Sequence, residues 1–193
     1  MEARKLNTFT IEEYLEYEKT TEERCEYLDG FIAPIAAGTV NHGILCGNAF
    51  AEVRSRLRKK KSNCIALSSA IKIHINSENA ILCPDAMVVC GSIERSAIDQ
   101  NAISNPILII EVLSKSTGNY DRGDKFYKYP QLPTLKEYVL IDQYKTVVEV
   151  YSRQEKSDIW KIVRTTGLTN NVELQSIGIL ITMEELYADV EGV

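Results

Sequence analysis

Histidine is almost missing from this chain: only His42 and His74 occur in 193 residues, which excludes a zinc centre built on several histidines. No CxxC pair exists among the five cysteines, at positions 25, 46, 64, 83 and 90. Their odd number and irregular spacing read as reduced thiols in the core of a cytoplasmic protein. An excess of positive charge is missing too. Lys plus Arg number 22 against 27 Asp plus Glu, a net charge of -5, so the chain has no general affinity for polyanions. A nucleic-acid partner therefore needs a local basic patch or a cation to offset repulsion. No apolar run is long enough to act as a signal or to cross a bilayer, and the first residues, MEARK, are charged; no membrane partner is expected. There is no zinc finger, recognisable helix-turn-helix or long basic region, so sequence-specific readout has no visible signature.

What is present suits one soluble domain over residues 1–193. Hydrophobic residues make up 45% of the chain and charged residues 25%, enough apolar material for a sizeable core. No repeat, low-complexity tract or interdomain linker interrupts it. Thr10 followed by Glu13 forms a capping-box pattern ahead of the helix IEEYLEY. Asp29-Gly30 between short apolar runs marks a hairpin turn, since glycine accepts positive φ. Ile44, Leu45, Ala49, Val53 and Leu57 recur at helical intervals across residues 41–60. That helix ends in RKKK, residues 58–61, whose charge suits a helix C-terminus or, in principle, backbone phosphates.

The period then changes. Residues 70–75 alternate as a half-exposed strand does, and AMVVC after Pro84-Asp85 reads as a short buried strand. PILIIEVL is a nearly unbroken apolar run, as expected of a central strand covered on both faces. Residues 121–129 read as a helix, YVLID (138–142) as a strand, and VVEVY with IWKIV (147–151 and 159–163) as an edge hairpin. EELYADV supplies a short final helix.

Two carboxylates stand out. Glu111 is the one charge inside PILIIEVL, where unpaired burial costs several kcal/mol, on the order of a domain's whole spare stability. Asp85 stands at the mouth of the preceding apolar strand, 26 residues earlier. If the two strands are neighbours, both acids converge on one point and present the oxygen ligands that Mg²⁺ favours. The plainer alternatives are a turn cap for Asp85 and a buried ion pair for Glu111.

CPDAMVVC, then NPILIIEVLSKSTGNYDRGDKFYKYPQLPTLKEYVLID, resembles the Uma family, cyanobacterial proteins assigned as endonucleases of the PD-(D/E)XK nuclease superfamily. The likeness extends upstream through EYLDGFIAP and the helix near His42. It implies an α/β restriction-endonuclease-like fold, a central mixed sheet flanked by helices, with the edge hairpin as an addition. It also implies metal ligation by Asp85, Glu111 and the Val112 carbonyl, with Glu26 as a further acidic ligand. The lysine such proteins carry two positions after the acid is replaced by Leu113. Lys125 is the candidate substitute, with Lys72 in reserve. Asp121 and Lys125, four apart, share a helical face and read equally well as a surface ion pair. His42 reads as a local cap, Tyr127 and Tyr129 as packing residues or, as the lesser alternative, as cleft lining, and Ser114, Ser116 and Thr117 as caps of the helix carrying Lys125.

The expected activity is Mg²⁺-dependent hydrolysis of a nucleic-acid phosphodiester, DNA more readily than RNA, with Mn²⁺ a possible substitute and Lys125 steadying negative charge. The rival reading, favoured by Leu113, is a catalytically inactive nuclease-fold module that binds protein or nucleic acid. The apolar edge hairpin offers a surface for a homodimer.

Overall fold

The computed structural model describes residues 8–35, 37–115, 117–154 and 159–193. Ser116 and the MEARK segment lie outside them. Helix α1 (Ile11–Thr20) opens as its sequence dictates: Thr10 Oγ1 accepts the Glu13 N–H, and a Glu13 carboxylate oxygen accepts the Thr10 N–H. Strands β1 (Cys25–Leu28) and β2 (Phe31–Pro34) turn at Asp29 (φ 48°) and Gly30 (φ 95°). Both residues are left-handed there, which matches the twist of a two-residue hairpin loop. A Cβ at Gly30 would come within 2.8 Å of the Thr8 side chain, so glycine is required for space as well. Helix α2 (Val40–Lys59) buries Leu45, Ala49, Val53 and Leu57, the apolar stripe read from the sequence.

The remaining strands are β3 (Cys64–Ser68), β4 (Lys72–Ile75), β5 (Ala80–Leu82), β6 (Ala86–Cys90), β7 (Ala102–Ile103), β8 (Leu108–Leu113), β9 (Glu137–Asp142), β10 (Val147–Arg153), β11 (Trp160–Thr166), β12 (Asn171–Leu174) and β13 (Ile179–Thr182). Helices α3 (Gly118–Arg122) and α4 (Asp124–Lys128) connect β8 to β9, and α5 (Met183–Leu186) follows β13. A six-stranded sheet runs β11-β10-β9-β8-β6-β3, and a five-stranded sheet runs β2-β1-β5-β4-β7. In the larger sheet β8 and β9 are parallel, so a crossover is needed between them, and α3 and α4 supply it.

Alternation along the central strands divides the core in two. Ala86, Val88, Leu108, Ile110 and Val112 face α2, α5 and the β12–β13 hairpin. Met87, Val89, Ile109 and Leu113 face the other way, against Tyr129, Leu132 and Tyr138 and against Ile73 and Leu82 of the smaller sheet. Glu111, two residues from Ile109 and from Leu113, belongs by register to this second face.

The edge hairpin is present as β10–β11, with β11 at the end of the sheet. Several expectations need correction. The helix read over 121–129 is broken at Gly123, whose φ of -106° and ψ of -94° separate α3 from α4. Strand β4 is mostly buried rather than half-exposed, because the smaller sheet packs on the larger one. Tyr127 is 75% exposed and packs on no core. Of five cysteines read as thiols, Cys64 and Cys90 are joined in a disulfide between partner positions of β3 and β6. Among the described residues no helix is long and apolar enough to cross a membrane.

Candidate functional site

Register brings the two acids together. β6 and β8 run antiparallel with Ala86 opposite Ile110, so Asp85, one residue before β6, stands opposite Glu111. The Val112 N–H donates to Asp85 Oδ2 at 2.7 Å, pinning the carboxylate at the strand end. Burial pushes Asp85 up, but hydrogen bonding and charge from His42 outweigh it and hold the carboxyl below its ordinary range.

Glu111 is 3% exposed, and its Oε1 accepts from Lys125 Nζ at 2.9 Å and from the Tyr129 hydroxyl at 2.8 Å. Burial pushes Glu111 up to about 8 against the pull of Lys125. The ammonium of Lys125 also lies 3.1 Å from Glu26 Oε1 and 3.4 Å from Asp121 Oδ1. Although burial pulls Lys125 down, the surrounding carboxylates, Glu111 foremost, hold it charged well above its usual value. The Asp121–Lys125 pair is therefore no surface pair. Both residues are buried, and the break at Gly123 leaves Lys125 reaching back under β8. Burial raises Asp121 as well.

Glu26 lies on β1 itself, with Oε1 accepting the Cys83 N–H at 2.9 Å. Leu113, where a lysine was expected, is sealed in the apolar core beside Ile109. Lys125 instead occupies the position against Glu111. Lys72, the reserve candidate, is elsewhere, 2.5 Å from both Glu18 and Asp99. It borders a larger cavity, of about 830 Å³, lined chiefly by α1, the segment after it and residues 98–101, which meets the acids' cleft at Cys83. Ser114 Oγ accepts the Thr117 N–H at 3.0 Å, so those two residues close the turn before α3. The RKKK run lies at the far end of α2, roughly 25 Å from His42 at about 1.5 Å per residue. Lys60 there bonds the Ile177 and Gly178 carbonyls.

Sequence reasoning did not find two participants. His42 Nε2 lies 3.5 Å from Asp85 Oδ2, and hydrogen bonding to Asp85 raises the imidazole above its ordinary value. Tyr129, read as packing, donates to Glu111 from full burial. No local signal marks either contact, since the partners lie 43 and 18 residues apart in sequence.

Three carboxylates, Glu26, Glu111 and Asp121, surround one ammonium and a fourth, Asp85, stands beside them, a formal sum of -4 + 1 = -3 with every acid ionised and before His42 is counted. They line a cleft of about 380 Å³ together with Val112, Tyr120 and His42. Crowded anions of this kind are costly away from water unless a cation joins them. The oxygen donor set and the charge surplus fit a hard divalent ion.

Residues 11–184 match the Uma2 family, described as "Putative restriction endonuclease". Two uncharacterised proteins of Synechocystis sp. are similar along most of their length. Slr1290 is 32% identical over 91% of this chain and 90% of its own. Sll1609 is 31% identical over 85% and 91%. A crystal structure from Anabaena variabilis, described as a "putative nuclease belonging to DUF820", superposes with a TM-score of 0.75 at 19% identity. It covers 93% of this chain and 98% of its own, and at that identity it shows the restriction-endonuclease-like fold alone.

Proposed function

The chain belongs to the Uma2 family, and on that premise we propose that it hydrolyses phosphodiester bonds of nucleic acid, DNA in first place. Mg²⁺, with Mn²⁺ as substitute, is assigned to Asp85, Glu111 and the Val112 carbonyl, with Glu26 as a further acidic ligand. The observation carrying this reading is the meeting of Asp85 and Glu111 across β6 and β8 beside a buried lysine, in a cleft with surplus negative charge. A divalent ion there supplies Lewis acidity toward a phosphate oxygen and lowers the pKa of water. It also offsets repulsion between the acidic site and a polyanion.

The chain's own groups do the positioning. The Val112 N–H fixes Asp85, while Tyr129 and Lys125 fix Glu111. Lys125, locked by three carboxylates, holds a permanent positive charge at the cleft wall, where it steadies negative charge developing on a phosphate. This geometry meets the need left by Leu113. The test is cleavage of DNA and RNA with and without Mg²⁺ by wild type, Asp85→Ala and Glu111→Ala prepared in parallel. Loss of ion-dependent cleavage in both variants is expected, and equal cleavage by all three assigns the activity to a contaminant or another centre.

Leu113 itself favours a second reading, a non-catalytic module that binds protein or nucleic acid. Such a module shows no Mg²⁺ or Mn²⁺ binding that disappears in Asp85→Ala. A homodimer through the outer edge of β11, where Ile162 and Val163 are exposed, is the quaternary proposal. A monomer in solution mass measurements at micromolar concentration removes it.

A further inference from the structure

Helix α2 carries two donor side chains one turn apart, His42 and Cys46, both directed at Asp85. Cys46 Sγ lies 3.4 Å from His42 Nδ1, and His42 Nε2 lies 3.5 Å from Asp85 Oδ2. One ligand atom from each of the three residues lies within 4.8 Å of the other two. Positions four apart on a helix share a face, so regular backbone holds the pair. Thr39 Oγ1 accepts the backbone N–H of His42 and so caps the first turn of α2. Residue 38 is glycine, and a Cβ there would come within 2.8 Å of His42 Nδ1. All three side chains are partly exposed, so a small ion has access.

We propose that His42, Cys46 and Asp85 form a site for a zinc-class divalent ion. The donor set is one imidazole nitrogen, one sulfur and one carboxylate oxygen. Sulfur and imidazole suit Zn²⁺, whereas Mg²⁺ seeks an all-oxygen shell. With zinc bonds of about 2.0–2.3 Å, ligand atoms at tetrahedral corners stand about 3–4 Å apart, so the three groups need to close by only about 1 Å. Three protein ligands leave a fourth position open. Asp85 then serves two donor sets, an oxygen set with Glu111 and a nitrogen–sulfur set on α2. The regulatory consequence rests on the nuclease reading: zinc, held far more tightly by the nitrogen–sulfur set, takes the carboxylate that Mg²⁺ needs, so zinc displaces Mg²⁺ at concentrations where Mg²⁺ does not displace zinc.

The experiment is a cobalt(II) titration of the full chain followed by absorption spectroscopy, with Cys46→Ser and His42→Ala beside wild type. Wild type is expected to show a thiolate-to-cobalt charge-transfer band that Zn²⁺ removes and millimolar Mg²⁺ does not. Cys46→Ser loses the band, and His42→Ala weakens binding by about tenfold or more. No band in folded wild type, its survival in Cys46→Ser, or its removal by Mg²⁺ overturns the proposal. The readout is independent of cleavage. A band in a protein that cuts no nucleic acid sinks only the nuclease reading, and a nuclease without the band sinks only the zinc site.

Discussion

Glu111 and Glu137 lie on adjacent parallel strands, and both are all but sealed from solvent, at 3% and 1% exposure. Their partners differ in kind. Glu137 accepts from the backbone N–H groups of Gln175 and Ser176 and from the hydroxyls of Ser152 and Ser176, all neutral donors. It ties the turn between β12 and β13 to β9 and β10 and lines no part of the cleft. Glu111 shares a single ammonium with two other carboxylates, faces Asp85 and lines the cleft. Burial of an acid therefore does not mark a reactive centre. What sets Glu111 apart is the crowd of carboxylates around it in an open cleft, the feature on which the proposed centre rests.

The sharpest way to break this comparison is through the lysines, because Lys72 also bridges carboxylates but lies outside the cleft. Lys125→Met is expected to lower ion-dependent cleavage on the order of 10²–10³-fold, the scale for losing one electrostatic group from a reactive centre. Lys72→Met leaves cleavage unchanged. Steady-state rates of the two variants, measured side by side, decide it, and equal losses erase the distinction.

Stability gives the next largest contrast. Glu137→Ala removes a buried acceptor that serves two part-buried backbone amides and the hydroxyls of Ser152 and Ser176, and is expected to cost about 3 kcal/mol. That is a fall of roughly 6–12 °C in Tm for a chain of this size. Glu111→Gln keeps the shape and an acceptor for Lys125 and Tyr129, and above about pH 8 it removes a costly buried charge, so thermal melts there should show its Tm unchanged or raised.

The remaining contrast is in pH. In the ion-free protein, burial raises Glu111 from 4.5 to about 8. A carboxyl raised on folding contributes stability that is fully present below pH 4.5 and is lost as pH climbs through about 8. Wild type is therefore expected to lose Tm across that window more steeply than Glu111→Gln. Identical slopes would mean that Glu111 is not the group responsible.

Much of this was legible in the residues. A charge inside PILIIEVL and an acid after Pro84 announced the two strands that carry the cleft, and the apolar stripe of α2 announced the helix packed on them. Asp85 and Glu111 were readable because each breaks a local pattern. Glu137 was not, since it sits one residue ahead of the strand read over 138–142 and looked like a boundary. The i, i+4 spacing of Asp121 and Lys125 fixes a shared face but cannot say whether that face is covered. The break at Gly123 and the packing under β8, both tertiary facts, turn it inward. His42 depends on the end of α2 meeting a strand 43 residues later, and the five-stranded sheet depends on pairings too short to show a period.

The most direct test of the shared centre is anomalous diffraction from crystals of the wild-type chain soaked in Mn²⁺. A peak within bonding distance of both Asp85 and Glu111, absent from Asp85→Ala crystals, is the result expected. A map with no peak there, or with manganese bound only at remote surface acids, contradicts the account.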